Sequence, residues 1–224
     1  MLRPAAVVSA LLLVMAVVVF VINPLCKSLP LLPWQGSTRR RKVFGIGLPQ
    51  TGTSSLSAAL ETLGLSVWHA PPLSSNDNLR RWVQRFDALT DVHTVSSTAF
   101  RDLLEVSPDA LFILTTRDPD RWFQSVQQTY SNYSLCARVV PGYQRMRTLA
   151  LSLRAGDLEE YNSHVIEHFR REGRLDQLLV LDVSHPSAWS VLSRFLGVAS
   201  APRRFPHMGP MMVHAWQCFR HMFT

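Results

Sequence analysis

The sequence predicts an α/β fold in which a parallel β-sheet is flanked by helices. From residue 41 onward, short apolar runs rich in β-branched residues alternate with amphipathic runs of helical spacing. This alternation is typical of strands that are covered by helices on both faces of one sheet. A strand, a glycine-containing loop and a helix follow one another within residues 42–60, KVFGIGLPQTGTSSLSAAL. A chain of 224 residues is long enough for one such domain and an appendage.

The loop between the first strand and the first helix is a candidate anion-binding element. Gly47, Gly52 and Ser54 have the spacing of a nucleotide phosphate-binding loop, GxxxxGK[ST], so the sheet is expected to be of the P-loop type. Backbone N–H groups at the start of a helix and its dipole both favour a bound phosphate. Thr53 replaces the loop lysine, which makes a P-loop kinase or NTPase the less favoured alternative. The predicted nucleotide-binding residues of the loop are Pro49, Gln50, Thr51, Gly52, Thr53 and Ser54.

The other elements follow from hydrophobic periodicity. The predicted strands are residues 43–48, 65–68, 88–92, 111–116 and 178–183. The predicted helices are residues 53–63, 78–86, 98–106, 120–130, 143–172 and 188–196. Because ligands of such sheets bind at the carboxyl ends of the strands, the residues after each strand are the candidate functional residues. The sequence contains no cluster with metal-ligand spacing, and no metal is expected.

A second candidate anion-binding element, TTRDPDRWFQSV at residues 115–126, follows the fourth predicted strand. Asp118 and Pro119 are typical of the cap and the first position of a helix. Arg117 precedes this helix and Ser125 lies two turns into it, so a guanidinium group and a hydroxyl can share one ligand. Paired donors of this kind suit a phosphate monoester. The alternative is that Arg117 only pairs with a neighbouring aspartate.

Together, these two elements resemble those of the P-loop sulfotransferases. KVFGIGLPQTGTSSL is similar to the loop that binds the 5′-phosphosulfate of 3′-phosphoadenylyl sulfate (PAPS), and FILTTRDPDRWFQSV is similar to the segment for its 3′-phosphate. The resemblance covers residues 41–207 and includes FDALTDVH, EEYNSHVIEHFR, LLVLDVSHPSAWSVLSRFLGV and FPH. It implies transfer of a sulfuryl group from PAPS to a hydroxyl or amine of a carbohydrate or protein acceptor. The expected cofactor is PAPS as co-substrate, without a metal.

The chain departs from the family pattern at Gln50, because this loop position is a lysine or arginine in the family. A neutral glutamine can donate a hydrogen bond to the bridging oxygen of the donor but cannot neutralise the departing phosphate. A cation supplied by Arg80, Arg81 or Arg203 would restore the charge. The alternative function is that of a catalytically impaired nucleotide-binding or scaffold protein.

The resemblance implies that an acid or imidazole at a neighbouring strand end accepts the proton of the acceptor. Asp91, at the end of the third predicted strand, is the first candidate for this catalytic base, and His93 is the second. His69 follows the second predicted strand, and we expect it to be structural or to face the acceptor.

The N-terminal segment predicts a membrane anchor. Residues 5–22 are uncharged and almost wholly aliphatic, close to the roughly 20 residues that a helix needs to cross a bilayer. A cleaved signal peptide is the alternative. We therefore predict a transmembrane signal-anchor at residues 1–23, a stem at 24–40, the sulfotransferase-like domain at 41–207 and a C-terminal tail at 208–224.

The membrane orientation rests on conflicting signals. Lys27 and the basic run at residues 39–42 follow the predicted span, and a positive-inside count would place the domain in the cytoplasm. Asn132 lies in an N-glycosylation sequon and favours a glycoprotein with a lumenal domain, in the Golgi or another secretory-pathway membrane. In that compartment Cys136 and Cys218 could form a disulfide. The net charge of +7 suits an anionic partner, for which we expect a nucleotide and a membrane surface but no nucleic acid.

Overall fold

The computed structural model describes residues 41–70, 76–92, 98–131, 148, 150–199 and 204–208. The strands are β1 (Val43–Gly45), β2 (Val67–His69), β3 (Ala88–Thr90), β4 (Leu111–Thr116) and β5 (Leu178–Asp182). The helices are α1 (Thr53–Thr62), α2 (Asn76–Arg85), α3 (Ala99–Val106), α4 (Pro119–Ser131), α5 (Ala155–Arg171) and α6 (Ala188–Phe195), and a 3-10 turn (Leu175–Gln177) precedes β5.

The five strands form one parallel sheet in the order β2-β3-β1-β4-β5, which confirms the predicted α/β fold. Strand β1 lies in the centre, because Val43 pairs with Ala88 of β3 on one side and with Leu111 of β4 on the other. Strands β1, β3 and most of β4 are buried, as expected for a parallel sheet that is covered on both faces. The loop after the central strand therefore lies at the middle of the ligand-binding edge.

Aromatic side chains fill much of the core between the sheet and helices α4 and α5. The ring of Phe112 lies 5.5 Å from that of Phe44 and 5.0 Å from that of Phe169. Trp122 of α4 is fully buried in the same cluster, and its indole N–H donates to Pro49 O over 2.8 Å. This one side chain thus joins the core to the loop after β1.

Helix α4 begins as its sequence predicts, whereas α5 does not. Asp118 Oδ1 accepts the backbone N–H of Arg121 at 2.9 Å, which confirms Asp118 as the cap of α4. The prediction of one continuous helix over residues 143–172 was wrong, because residues 153 and 154 are not helical. Arg154 is extended, and its N–H donates to the Asp157 carboxylate at 2.8 Å, so α5 begins at Ala155.

Several predictions concern residues outside the described part of the chain. The signal-anchor, the stem, His93, Arg203, Asn132 and the three cysteines all lie there. Within the described ranges from residue 41 to 208, none of the helices combines the length and the apolar character that a membrane crossing requires.

Candidate functional site

A cavity of about 1130 Å³ opens at the carboxyl ends of β1, β4 and β5. Its wall consists of the loop after β1 with the start of α1, the start of α4, the segment between β5 and α6, and residues 204–208. Both predicted anion-binding elements therefore border the same space. The cavity-lining residues lie at positions 50–55, 117–118, 121, 125, 182–186, 189–190 and 204–208.

Two glycines allow the loop to pass close to the neighbouring strands. A Cβ at Gly47 would overlap Thr115 Oγ1 and lie 2.5 Å from Thr115 O in β4. Gly52 has φ 99°, and a Cβ there would overlap a methyl group of Val183. Glycine is therefore required at both positions, which explains the spacing that the sequence shows.

The hydroxyl of Thr51 stabilises the loop itself. Thr51 is 1% exposed, and its Oγ1 donates to Leu48 O at 2.6 Å. Thr115 Oγ1 lies 2.6 Å from the same oxygen, and it must be the donor because the Thr51 hydrogen is already used. Thr51 is among the residues that border the cavity, and its side chain holds the loop against β4.

The start of α1 presents backbone donors to the cavity. The first bond along this helix runs from the Leu56 N–H to Gly52 O, and Gly52 supplies no side-chain cap. The amides of Thr53, Ser54 and Ser55 belong to the first turn, which has no acceptor within the helix. All three residues line the cavity, so this end of the cavity favours an anion.

Side chains from the end of β4 and from α4 hold the loop at Gln50. Arg117 Nη1 donates to Gln50 O at 3.2 Å, while the hydroxyls of Ser125 and Thr129 donate to Gln50 Oε1 at 3.2 and 3.3 Å. Gln50 itself has φ 69°. The side-chain carbonyl of Gln50 thus faces α4. It accepts the hydrogen of the Ser125 hydroxyl, which was predicted to bind a phosphate.

A second polar cluster lies behind the loop. Ser54 Oγ is 3.1 Å from His69 Nε2, and Thr90 Oγ1 is 2.9 Å from His69 Nδ1. Asp91 Oδ2 lies 3.9 Å from His69 Nε2, and both residues are 6% exposed. Burial raises the pKa of the Asp91 carboxyl, and the nearby imidazole opposes this shift.

Strained backbone is concentrated at the same edge of the sheet. Among the described residues, the non-glycine residues with positive φ are Gln50, Ala70 and Asp91, at 69°, 53° and 57°. They follow β1, β2 and β3, which are neighbours in the sheet. Such conformations cost free energy and cluster at functional sites.

Comparison with known proteins identifies the family. The family described as "Sulfotransferase domain" matches residues 42–210. The chain belongs to this family. A sulfotransferase from Alicyclobacillus acidocaldarius has the same fold: its crystal structure matches with a TM-score of 0.50 at 18% identity, over 81% of this chain and 92% of that chain. The sulfotransferase domain is also similar to Ava biosynthesis cluster protein M of Aspergillus versicolor, 29% identical over 211 residues, 75% of this chain and 80% of that protein.

The sulfotransferase domain brings most of the predicted nucleotide-binding residues together. Gln50, Thr51, Gly52, Thr53, Ser54, Arg117 and Ser125 all border the cavity. Pro49 instead contributes a backbone carbonyl to Trp122. Asp91 is buried against His69 and is absent from the described cavity wall. Within the described residues, no group of three or more His, Cys, Asp and Glu side chains is placed to hold a metal ion.

Sequence analysis missed a large part of the cavity wall in the sulfotransferase domain. Trp189 of α6 and Phe205 pack edge to face with their ring centroids 6.0 Å apart. The backbone N–H of Met208 donates to Ser55 Oγ at 3.1 Å, which fastens this C-terminal segment to α1. The position of Asp182 at the end of β5 was the available signal, because the same strand-end rule had identified the other elements.

Proposed function

We propose that this chain is a PAPS-dependent sulfotransferase whose acceptor is a hydroxyl or amine group. The observation that supports this is the common cavity: the start of α1, with its unpaired amides, and Arg117, whose Nη1 bonds to Gln50 O, border one space. Two anion-binding elements fit a ligand with anionic groups at both ends, such as a doubly phosphorylated nucleotide. The sulfotransferase domain family uses such a donor.

The donor-binding roles follow from the chemistry of each wall. The amides of Thr53, Ser54 and Ser55 would hold the 5′-phosphosulfate, and Arg117 would hold the 3′-phosphate. Ser125 would join Arg117 once its hydroxyl turns from Gln50 Oε1 to the phosphate. Phe205, which packs against the buried Trp189, offers an apolar surface to the adenine ring. The volume exceeds that of an ordinary small-molecule pocket, which leaves room for part of the acceptor.

The reaction sets two tasks for the protein. PAPS supplies the sulfuryl group: an acceptor lone pair forms the new bond to sulfur, the bond from sulfur to the bridging oxygen breaks with its electron pair left on that oxygen, and the acceptor proton passes to a base. The chain must therefore stabilise charge on the bridging oxygen and accept a proton. Gln50 is the candidate donor for the first task, and Asp91 and His93 remain the predicted bases for the second.

The Gln50 side chain supports a second candidate function, a nucleotide-binding protein without transferase activity. Its carbonyl is held by Ser125 and Thr129, and it carries no charge. A protein of this kind would bind adenosine 3′,5′-bisphosphate and PAPS without turnover.

Replacing Gln50 with lysine tests whether the chain is a sulfotransferase or a nucleotide-binding protein without transferase activity. We expect sulfate transfer from labelled PAPS to rise by about 10-fold or more, because an ammonium group can stabilise the charge that develops on the bridging oxygen. Transfer to a panel of carbohydrate, tyrosine-peptide and amine acceptors measures the change. Gln128→Lys adds the same charge on the exposed side of α4 and should leave the rate unchanged. Tight nucleotide binding by the wild-type chain and by Gln50→Lys, with no transfer by either, would support the binding-only function.

We also propose that the protein is tethered to a Golgi or other secretory-pathway membrane by residues 1–23, with the domain in the lumen. The apolar run at residues 5–22 supports the membrane anchor, and the sequon at Asn132 supports the lumenal orientation. In secretory cells, the full chain should resist carbonate extraction and lose mass on glycosidase treatment. Asn132→Gln should abolish that mass change, whereas Ser134→Thr keeps the sequon and should retain it. An unglycosylated chain on the cytoplasmic face would contradict this proposal.

A further inference from the structure

His69 connects the wall of the cavity to a buried carboxyl group. Its Nε2 atom lies 3.1 Å from the Ser54 hydroxyl, which borders the cavity, and 3.9 Å from Asp91 Oδ2 behind it. The imidazole itself is buried. A proton on His69 can therefore influence a ligand in the cavity through the Ser54 hydroxyl.

The loop lacks a cation of its own where the donor brings several negative charges. Gln50 and Thr53 are both neutral, so the start of α1 offers only partial charges from its amides. An imidazole changes charge near neutral pH; burial disfavours its cationic form, whereas a neighbouring carboxylate and an anionic ligand favour it. Asp91 is the titratable group for which the structure gives a contact with His69. In a buried site, where electrostatic interactions are weakly screened, a single positive charge on His69 would strongly stabilise a nearby anionic ligand.

We propose that His69 becomes an imidazolium ion when the nucleotide binds and that, through Ser54, it supplies the positive charge missing from Gln50 and Thr53. This inference rests on the proposed function, because it assumes that a phosphorylated nucleotide occupies the cavity. Asp91 is then the counter-ion of His69, which leaves His93 as the candidate base.

The hydrogen bonds around His69 permit this change with little rearrangement. Both distances fit the tautomer in which Nδ1–H donates to Thr90 Oγ1 and the Ser54 hydroxyl donates to unprotonated Nε2, and we assign this tautomer to the free protein. In this tautomer, a proton on Nε2 reverses the direction of the bond to Ser54. The Ser54 oxygen then accepts from the imidazolium, and its hydrogen turns to an anionic oxygen in the cavity. Ser54 contacts the ligand, and His69 is a positioning residue that acts through it.

Nitrogen-15 NMR of the histidine side chains tests this directly in the full chain. The His69 signals are identified by their absence in His69→Gln. Saturation with adenosine 3′,5′-bisphosphate should move the Nε2 resonance to the imidazolium position, whereas a resonance that remains at the neutral position would overturn the inference. If no nucleotide binds at all, the proposed function is wrong, and the inference fails with it. This outcome differs from nucleotide binding without a shift of the Nε2 resonance, which overturns the inference alone.

A double-mutant cycle on nucleotide affinity distinguishes a compensating charge from a structural role. His69→Gln keeps hydrogen-bonding capacity without the charge and should weaken binding by about 10-fold. In the Gln50→Lys background, where the loop has its own cation, the same change should cost less than about 3-fold. An equal loss in both backgrounds would show that His69 does not replace the loop cation. If His69→Gln does not fold, the His69 ring signals are assigned in the wild-type chain through correlations with its own backbone amide, and the NMR measurement then decides the question.

Discussion

Replacing Arg117 with alanine is expected to weaken the binding of adenosine 3′,5′-bisphosphate by about 100-fold. The guanidinium group borders the cavity and is steered towards the loop by its bond to Gln50 O. A charged hydrogen bond contributes about 1.5–3 kcal/mol, so losing a forked contact to phosphate removes roughly two orders of magnitude in affinity. The unliganded protein should lose little stability, because one half-exposed bond to a carbonyl is removed.

Thermal melting with nucleotides measures this effect, since a ligand bound only by the folded chain raises its apparent stability. Adenosine 3′,5′-bisphosphate should protect the wild-type chain more than ATP does, and this protection should largely disappear in Arg117→Ala. Arg194→Ala removes an exposed arginine of α6 and serves as the control. Better protection by ATP would favour the P-loop kinase or NTPase alternative. Undiminished protection of Arg117→Ala would remove Arg117 from the binding site.

The sheet could be predicted from sequence because each strand is a short, mainly apolar run with a clear local pattern. The predicted strand at residues 111–116 agrees with β4 in both bounds. The order β2-β3-β1-β4-β5 could not be predicted in this way, because it depends on how distant segments pack. The break before α5 was missed because the apolar periodicity of the sequence continues across residues 153 and 154. In the structure, the Arg154 N–H instead donates to the Asp157 carboxylate, and a new helix begins after Arg154.

The candidate site was predictable where its residues are neighbours in sequence. The loop after β1 and the Arg117 segment each carry a local motif, and both border the cavity. Contacts between distant residues gave no such signal. The hydrogen bond from Ser125 to Gln50 joins residues 75 positions apart, and the bond from Met208 to Ser55 joins residues 153 positions apart. His69 was expected to be structural or to face the acceptor; its contacts with Ser54 and Thr90 could not be predicted, because these residues belong to two other elements.

Replacing Gly47 with alanine is expected to lower both stability and nucleotide affinity. The added methyl group would overlap Thr115 Oγ1 and press on the backbone of β4, so the β1 loop and β4 must separate. Forcing an extra carbon into a packed interior costs about 1–3 kcal/mol, and more where backbone atoms resist. For a domain of this size, 3 kcal/mol corresponds to a fall of roughly 6–12 °C in the melting temperature. Because Thr115 lies two residues before Arg117, the same displacement should misalign the guanidinium group and weaken nucleotide binding.

Gly156→Ala provides the matched control, because it adds the same methyl group in the first turn of α5, where no heavy atom outside its chain neighbours and the local helix backbone lies within 4 Å. A helical Gly-to-Ala change stabilises by about 0.5–1 kcal/mol, so its melting temperature should rise by roughly 1–4 °C. A melting temperature that falls in Gly47→Ala and rises in Gly156→Ala would attribute the Gly47 effect to the close approach of the loop and β4. If Gly47→Ala instead melts and binds nucleotide like the wild-type chain, Thr115 can yield, and the glycine at position 47 is not what aligns the two anion-binding elements.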